Sequence, residues 1–334
     1  MTDLAEKIRN SFSGKRIVIV GDLVADQFLH GTIARVSREA PVFILRHEET
    51  DTRAGAAANA AANVAALGGR PVLIGLVGDD EPGRLLAENL VLAGVDCSNV
   101  VTDANGKTTT KIRVLAGQHY AARQQVIRID YERSLGIPAD VSARLLANLT
   151  AAAANADAIV ISDYNYGVAS REIFEAALSR ARERSIPLLT DSRFRLPDFS
   201  GASAATPNQE EAEQLIGGEM DEAKCEALRQ QLGLEALLVT RGNKGMVLIQ
   251  EGRKPLSLAA IGPTEPIDVT GAGDTVIAAF ALGLASGLTF EGSAVIANHA
   301  GGIVVMKKGT ATVSTAELLD SLEKNRPHSL ESTA

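Results

Sequence analysis

Short apolar runs alternate along this chain with amphipathic helical segments. Runs such as Arg16–Gly21, 158–161 and Ala236–Thr240 are rich in Ile, Val and Leu, which is typical of strands buried on both faces. Segments rich in Ala, Leu, Glu and Arg lie between them, for example 170–184 and 222–232. Strands that alternate with such helices predict βαβ units and a mostly parallel sheet. The predicted fold class is therefore α/β.

Two stretches contain strand patterns with no helix between them, and these predict antiparallel ribbons. The ribbons combine into a small β sheet that serves as a lid or a dimer surface, or they are simply two edge hairpins. The predicted division is an α/β domain over 1–27, 50–106 and 132–322, the small sheet over 28–49 and 107–131, and a polar tail over 323–334.

Composition argues against several classes of partner. The net charge of −8, the 4% aromatic content and the absence of Trp disfavour nucleic acid. Two cysteines, Cys97 and Cys225, are too few for a disulfide framework. The polar start of the chain lacks the apolar core of a signal peptide, and no apolar run is long enough to span a bilayer. We expect a cytoplasmic protein without a membrane partner.

The segment from Gly271 to Asp274 is the most informative motif. Gly271, Ala272 and Gly273 place backbone N–H groups at the start of an apolar helix, where they bind anions. A carboxylate at that point repels phosphate, unless Asp274 accepts a proton from a hydroxyl while the amides hold a transferring phosphoryl group. The alternative is a structural turn in which Asp274 caps the helix.

Further polar residues follow other apolar runs. Asp22 and Asp26 come at the end of the first predicted strand, where parallel sheets bind ligands, and two carboxylates there accept hydrogen bonds from sugar hydroxyls. The alternatives are a helix cap for Asp22 and a solvated side chain for Asp26. Small residues around Gly55 let a ligand approach the backbone, and Asn59 in an alanine-rich helix suggests a polar role or a cap.

Two more segments follow strand-like runs. Asn208 and Glu211 are suited to orient a hydrated Mg²⁺ that accompanies a nucleoside triphosphate, because Mg²⁺ retains waters and takes few protein oxygens. Thr240, Gly242 and Gly245 predict a turn against phosphates. No GxSxG, HExxH or CxxC pattern occurs, so hydrolase-triad, zincin and thiol-redox functions lose support.

The motifs together, in this order, resemble the pfkB (ribokinase-like) family of carbohydrate kinases over residues 16–315. The detailed pattern is most similar to the bacterial D-glycero-D-manno-heptose 7-phosphate kinases, the kinase portion of ADP-heptose synthesis enzymes. The stretches that carry this similarity are Gly21-Asp-Leu-Val-Ala-Asp26, Arg35-Val-Ser-Arg-Glu-Ala-Pro-Val42, Thr110-Lys-Ile-Arg-Val114, Ile127-Arg-Ile-Asp130 and Ser162-Asp-Tyr-Asn-Tyr-Gly167.

The resemblance implies a three-layer sandwich with a β lid that pairs subunits into a homodimer. It implies Mg-ATP as the phosphoryl donor, and a monovalent cation such as K⁺ beside the anion site. The residue roles it implies are Asp274 as base; Gly271, Ala272 and Gly273 as the anion hole; Asn208 and Glu211 for Mg-ATP; Thr240, Gly242, Gly245 and Asn298 for the nucleotide; and Asp22, Asp26, Gly55 and Asn59 for the sugar.

Three positions depart from the family pattern. Ala56 stands where a second glycine is usual, Tyr166 where the heptose kinases carry Lys, and Asp191-Ser192-Arg193 replaces Asp-Pro-Lys. Tyr166 lacks the positive charge of that Lys. Its replacement could come from four basic residues, Lys111, Arg113, Arg128 and Arg193; the alternative is that these four are exposed basic side chains. The expected reaction is phosphorylation of the anomeric hydroxyl of heptose 7-phosphate. The alternatives are kinases of an unphosphorylated sugar or nucleoside, and a catalytically silent nucleotide-binding regulator.

Overall fold

The structure, a computed structural model, describes residues 2–117, 123–132 and 136–325. The strands are β1 (Arg16–Gly21), β2 (Leu23–Val36), β3 (Phe43–Ala56), β4 (Arg70–Gly78), β5 (Asp96–Asp103), β6 (Thr110–Gly117), β7 (Gln124–Tyr131), β8 (Ala158–Asp163), β9 (Leu188–Ser192), β10 (Ala204–Ala205), β11 (Ala236–Thr240), β12 (Met246–Gln250) and β13 (Leu256–Leu258). The α-helices are α1 (Thr2–Ser11), α2 (Ala57–Ala66), α3 (Glu81–Leu92), α4 (Ala139–Ala153), α5 (Arg171–Arg184), α6 (Gln209–Ile216), α7 (Glu222–Gln231), α8 (Ala272–Ala285), α9 (Phe290–Val304) and α10 (Thr315–Lys324).

The large sheet has nine strands in the described residues, in the order β13-β12-β11-β10-β9-β8-β1-β4-β5. Its members from β11 to β5 in this order pair in parallel, and β12 and β13 add an antiparallel edge. Ile17 to Val20 of β1 have no exposed surface. The apolar runs therefore form strands buried on both faces, as predicted.

Helices cover both faces of this sheet. Ile17 and Ile19 point into a core that contains α2, α8 and α9, while Val18 and Val20 point into a second core that contains α4, α5 and α7. The side chains alternate because successive residues of a strand face opposite sides. The predicted three-layer α/β architecture is confirmed.

The small sheet has four strands in the described part of the chain, in the order β3-β2-β6-β7. Both predicted antiparallel ribbons are present, as the hairpins β2–β3 and β6–β7. The two hairpins join through a parallel pairing of β2 with β6, which the sequence did not indicate. The strands also continue past the expected bounds of 28–49, from Leu23 to Ala56.

Some elements escaped the sequence pattern. The edge strand β5 is largely polar, β10 has two residues and β13 has three, so none of them carries a long apolar run. Helix α10 continues to Lys324, inside the predicted tail, and residues 326–334 of that tail lie outside the described residues. No helix in the described ranges is long and apolar enough to cross a membrane.

Candidate active site

A cavity of about 700 Å³ lies at the carboxyl ends of the parallel strands, bounded by residues of both sheets. This is the edge at which open α/β sheets bind ligands, and the volume suits small-molecule substrates. Most of the predicted site residues line it: Asp26, Lys111, Arg113, Asn208, Glu211, Thr240, Gly242, Gly245, Gly271, Ala272, Gly273, Asp274 and Asn298. Asp22, Gly55 and Asn59 are not among the lining residues.

The start of helix α8 forms one wall. Gly271 is the N-cap residue with a φ of 78°, a conformation that favours glycine, and an added Cβ would lie 2.4 Å from Asn59 Nδ2. The Ala272 N–H donates to Val269 O at 3.2 Å. Among the described residues, the N–H groups of Gly271, Gly273 and Asp274 have no acceptor. Gly271 and Gly273 thus offer unpartnered amides where the sequence predicts an anion hole, whereas the Ala272 amide is paired.

Asp274 lies in the first turn of α8 and is 2% exposed. Its Oδ2 accepts from Asn59 Nδ2 at 2.8 Å, and its Oδ1 accepts from the Tyr164 hydroxyl at 2.7 Å. Burial raises the pKa of Asp274 to about 7, against the lowering effect of these two hydrogen bonds. No side chain caps α8, so the cap alternative for Asp274 does not hold. A buried carboxylate with such a pKa is suited to accept a proton near neutral pH.

Asn59 and Asn63 form a buried pair of amides on one face of α2. Asn59 Nδ2 also lies 3.3 Å from Gly271 O, and Asn63 Nδ2 donates to Asn59 O at 3.0 Å. Asn63 Oδ1 in turn accepts from the Val313 N–H at 3.2 Å. The predicted polar role of Asn59 is therefore to hold the Asp274 carboxylate and the α8 N-terminus from behind.

Asp22 holds a loop rather than facing the cavity. Its carboxylate accepts from the N–H groups of Tyr164, Tyr166 and Val168, at 2.8, 3.0 and 3.0 Å. It caps none of the described helices, and it is 1% exposed. Burial raises its pKa despite these bonds. Asp22 thus anchors the segment that follows β8.

Asp26 lies on β2 and faces the cavity from the small sheet. It is buried, contrary to the solvated alternative, and forms an ion pair with Arg113 of β6. Burial raises its pKa, while Arg113 opposes that shift. Gly55 leaves room for this carboxylate, since a Cβ there would lie 2.6 Å from Asp26 Oδ2. The side chain of Lys111, two residues before Arg113, also reaches the cavity.

Asn208 and Glu211 form a capping box at the start of α6. Asn208 Oδ1 accepts from the Glu211 N–H at 2.9 Å, and Glu211 Oε2 accepts from the Asn208 N–H at 2.9 Å. Burial raises the pKa of Glu211. Glu211 Oε1 lies outside this box, so the donor set fits an ion bound through water. In the described ranges, no three His, Cys, Asp or Glu side chains are grouped to ligate a metal directly.

A turn and a helix complete the opposite wall. Thr240 ends β11 and forms an isolated bridge with Asn208. Gly242 and Gly245 both have positive φ, and a Cβ on Gly245 would lie 2.0 Å from Leu258 O. Asn298 of α9 donates from Nδ2 to Ala259 O at 2.7 Å. The predicted turn is present at the cavity.

The structure adds residues to which the sequence motifs assigned no role. Tyr164 and Asp191 line the cavity near Asp274, and burial together with Glu211 and Asp274 raises the pKa of Asp191 well above its usual value. Thr206 also lines this region. Each follows or ends a strand, at the ligand edge of the sheet. That position is the signal from which they could have been found.

Comparison with known proteins gives consistent results. Residues 15–317 match the pfkB family carbohydrate kinase model. The chain is 44% identical over 322 residues to the bifunctional protein HldE of Alkalilimnicola ehrlichii, which covers 94% of this chain and 64% of that protein. It is 41% identical to HldE of Aeromonas salmonicida, with 93% and 64% covered. The chain thus spans 64% of the length of each of these relatives, slightly less than two thirds.

Solved structures share the fold. Arabidopsis thaliana ribokinase complexed with ribose and ATP aligns with a TM-score of 0.70 at 23% identity, covering 93% of this chain and 99% of that one. Escherichia coli phosphofructokinase-2 in complex with potassium aligns with a TM-score of 0.75 at 18% identity, with 93% and 99% covered. The fold is therefore ribokinase-like. With the family match over most of its length, the chain belongs to the pfkB family of carbohydrate kinases.

Proposed function

We propose that this protein transfers the γ-phosphoryl group of ATP to a sugar hydroxyl, with Asp274 as the base. The observation that carries the proposal is the pairing of a buried carboxylate with unpartnered amides at the start of α8, in a cavity of about 700 Å³. ATP as substrate places the reaction in the cytoplasm.

In the proposed reaction, Asp274 accepts the proton of the acceptor hydroxyl as its oxygen bonds to the γ-phosphorus. The bond to the departing ADP oxygen breaks, and its electron pair leaves with ADP. The free N–H groups of Gly271 and Gly273 stabilise negative charge on the transferring group, helped by the α8 dipole. Asn59 and Tyr164 hold the Asp274 carboxylate, so little reorganisation of the base is needed.

The nucleotide occupies the wall opposite the small sheet. Asn208 and Glu211 orient Mg²⁺ through water, and Thr240, Gly242, Gly245 and Asn298 surround the nucleotide. When bound, Mg²⁺ neutralises charge on the phosphates. A monovalent cation such as K⁺ would bind beside the α8 N-terminus. The neighbour complexed with ribose and ATP supports ATP as the donor, and the neighbour in complex with potassium supports the monovalent cation.

The acceptor we favour is D-glycero-D-manno-heptose 7-phosphate, phosphorylated at its anomeric hydroxyl for lipopolysaccharide precursor synthesis. The HldE relatives, about 40% identical over nearly the whole chain, support this choice. Asp26 binds sugar hydroxyls. Lys111 and Arg193 line the cavity, and neither forms an ion pair in the described residues, so they are available for the distal phosphate.

The small sheet acts as a lid over this acceptor and as a homodimer surface. Its cavity face carries Asp26, Lys111, Arg113 and Arg128. Ile127 and Ile129 of β7 lie on the opposite face, at 54% and 41% exposed. A second copy of the sheet would remove this apolar surface from water.

The decisive experiment measures ADP release with Mg-ATP against a panel of heptose 7-phosphate, fructose, fructose 6-phosphate, ribose and adenosine. We expect turnover with heptose 7-phosphate, and a fall of about 10²–10⁴-fold in kcat for Asp274→Asn with ATP still bound. Binding of ATP is followed by calorimetry.

Other outcomes separate the alternatives. Turnover restricted to an unphosphorylated sugar keeps the kinase and overturns the heptose substrate. Unchanged kcat in Asp274→Asn removes the base from the mechanism. ATP binding without turnover on any acceptor favours the regulator.

A further inference from the structure

Tyr164 is the one other side chain on the Asp274 carboxylate besides Asn59, among the described residues. Its hydroxyl donates to Oδ1 at 2.7 Å, and Asn59 Nδ2 donates to Oδ2 at 2.8 Å. A carboxylate has about four lone-pair sites on its two oxygens, so one site on each oxygen remains open. The two donors on opposite oxygens fix the rotation of the carboxylate about its Cβ–Cγ bond.

The tyrosine itself is held from the other end. Its backbone N–H donates to Asp22 Oδ2 at 2.8 Å, and the N–H groups of Tyr166 and Val168 bind the same carboxylate. Asp22 lies directly after β1, which pairs with β8 in the large sheet. The position of the Tyr164 hydroxyl is thus set by a buried anchor on an adjacent strand, rather than by a free loop.

No cation contacts Asp274 in the described part of the chain, where the ion pairs of Arg and Lys are formed with other carboxylates. Asp26 and Lys111 act on it only through space and in opposite directions, and Asp191 is a further buried carboxyl group nearby. Two neutral donors therefore provide the direct stabilisation of a negative charge in a buried position. Burial raises the pKa of Tyr164 well above its usual value, so the phenol keeps its proton and remains a donor.

We infer that Tyr164 is a positioning residue for the phosphoryl-transfer base: its hydroxyl keeps Asp274 ionised and turns the open lone pairs toward the acceptor hydroxyl. The inference rests on the proposed role of Asp274. The proton of the acceptor hydroxyl goes to Asp274, and Tyr164 keeps its own proton throughout. The phenol thus acts on the carboxylate alone and exchanges nothing with the substrate.

The test compares wild-type enzyme with Tyr164→Phe, which retains the ring and loses the hydroxyl. Tyr164→Phe removes one hydrogen bond to a charged group. In the pH profile of kcat/KM for the sugar, the midpoint of the acidic side should therefore rise by about one pH unit. From a starting pKa of about 7, this is a loss of about fivefold at pH 7 and little loss at pH 9. The KM for ATP should not change. Thr150→Val on α4, which removes a hydroxyl that donates to Leu146 O outside the cavity lining, is the control and should keep the wild-type profile.

A second measurement does not depend on turnover. The Asp274 carboxyl carbon is followed by ¹³C NMR from pH 4 to 9, and is assigned by its absence in Asp274→Asn. Its midpoint should rise by about one unit in Tyr164→Phe. An unmoved midpoint, or a kcat loss that is equal at every pH, would overturn the inference. If the wild-type protein phosphorylates no sugar, the proposed function fails, and the NMR midpoint still decides whether Tyr164 holds the carboxylate ionised.

Discussion

The two sheets of this molecule are built in opposite ways. The strands of the large sheet are covered by helices on both faces, and Ile17 to Val20 have no exposed surface. In the small sheet, by contrast, every residue of β7 is exposed. The large sheet is held by apolar burial, whereas the small sheet presents charged side chains on one face and apolar ones on the other. Asp274, the proposed base, thus lies beside the sheet that helices cover on both faces, and the proposed acceptor contacts lie on the more exposed small sheet.

The sharpest test of this contrast is one substitution made in both sheets. Ile19→Ala in β1 opens a cavity in a close-packed core and should lower the free energy of unfolding by about 2–5 kcal/mol. Ile127→Ala in β7 removes an exposed side chain and should change it by less than about 0.5 kcal/mol in the monomer. Urea unfolding at low protein concentration measures both.

The same β7 variant also tests the proposed dimer. If Ile127 lies in an interface, Ile127→Ala should raise the dimer dissociation constant in sedimentation equilibrium, although it leaves monomer stability unchanged. Equal losses of stability from Ile19→Ala and Ile127→Ala would contradict the contrast between the sheets. A wild-type protein that is monomeric at every concentration would contradict the dimer.

A second test concerns the buried charge of Asp274, at the edge of the large sheet. The folded-state pKa of Asp274, about 7, lies above its unfolded value of 3.8, so folding takes up a proton between these values. This group therefore costs no stability below about pH 4, lowers stability as pH rises to about 7, and exerts its full penalty above that. Asp274→Asn should gain about 3 kcal/mol of relative stability between pH 5 and pH 8.

Thermal unfolding of wild type and Asp274→Asn at both pH values is the measurement. A constant difference between wild type and Asp274→Asn across this range would show that burial does not hold the Asp274 pKa above its unfolded value.

The smallest expected effect lies at the junction between the sheets. Ala56 joins β3 to α2 with a φ of 57° and a ψ of −134°, a conformation that favours glycine. Ala56→Gly should relieve strain and raise stability by about 1 kcal/mol. Ala58→Gly, inside α2, should lower it by about 1 kcal/mol. Opposite signs in urea unfolding support strain at the junction, and a loss in both variants argues against it.

Local patterns predicted what local physics determines. The apolar run Arg16–Gly21 is β1 to the residue, and the Gly-Ala-Gly segment does begin α8. The motifs likewise predicted that Asp274, Asn208 and Thr240 lie at the ligand edge of the sheet, and all three line one cavity.

Contacts between distant parts of the chain were not predictable in this way. The hydrogen bond from Tyr164 to Asp274 joins residues 110 positions apart, and the bonds from the 164–168 loop to Asp22 span more than that. The parallel pairing of β2 with β6 is similarly remote in sequence. None of these leaves a periodic or compositional trace, because each depends on how the whole sheet brings its strands together. For this reason the sequence predicts a sugar contact for Asp22 but not its hydrogen bonds to the 164–168 loop.

The order of the strands requires four passages between the two sheets, after β1, after β3, before β6 and after β7, and the last of these includes residues outside the described ranges. A sheet attached by one linker rotates freely, but a sheet attached by four connections moves only if all four connections bend together. Asp22 and Ala56, at two of these connections, are buried. The small sheet is consequently not a module that can be exchanged alone. Replacing it with the sheet of another kinase would require four matched junctions, and lengthening any one connection would disturb the other three.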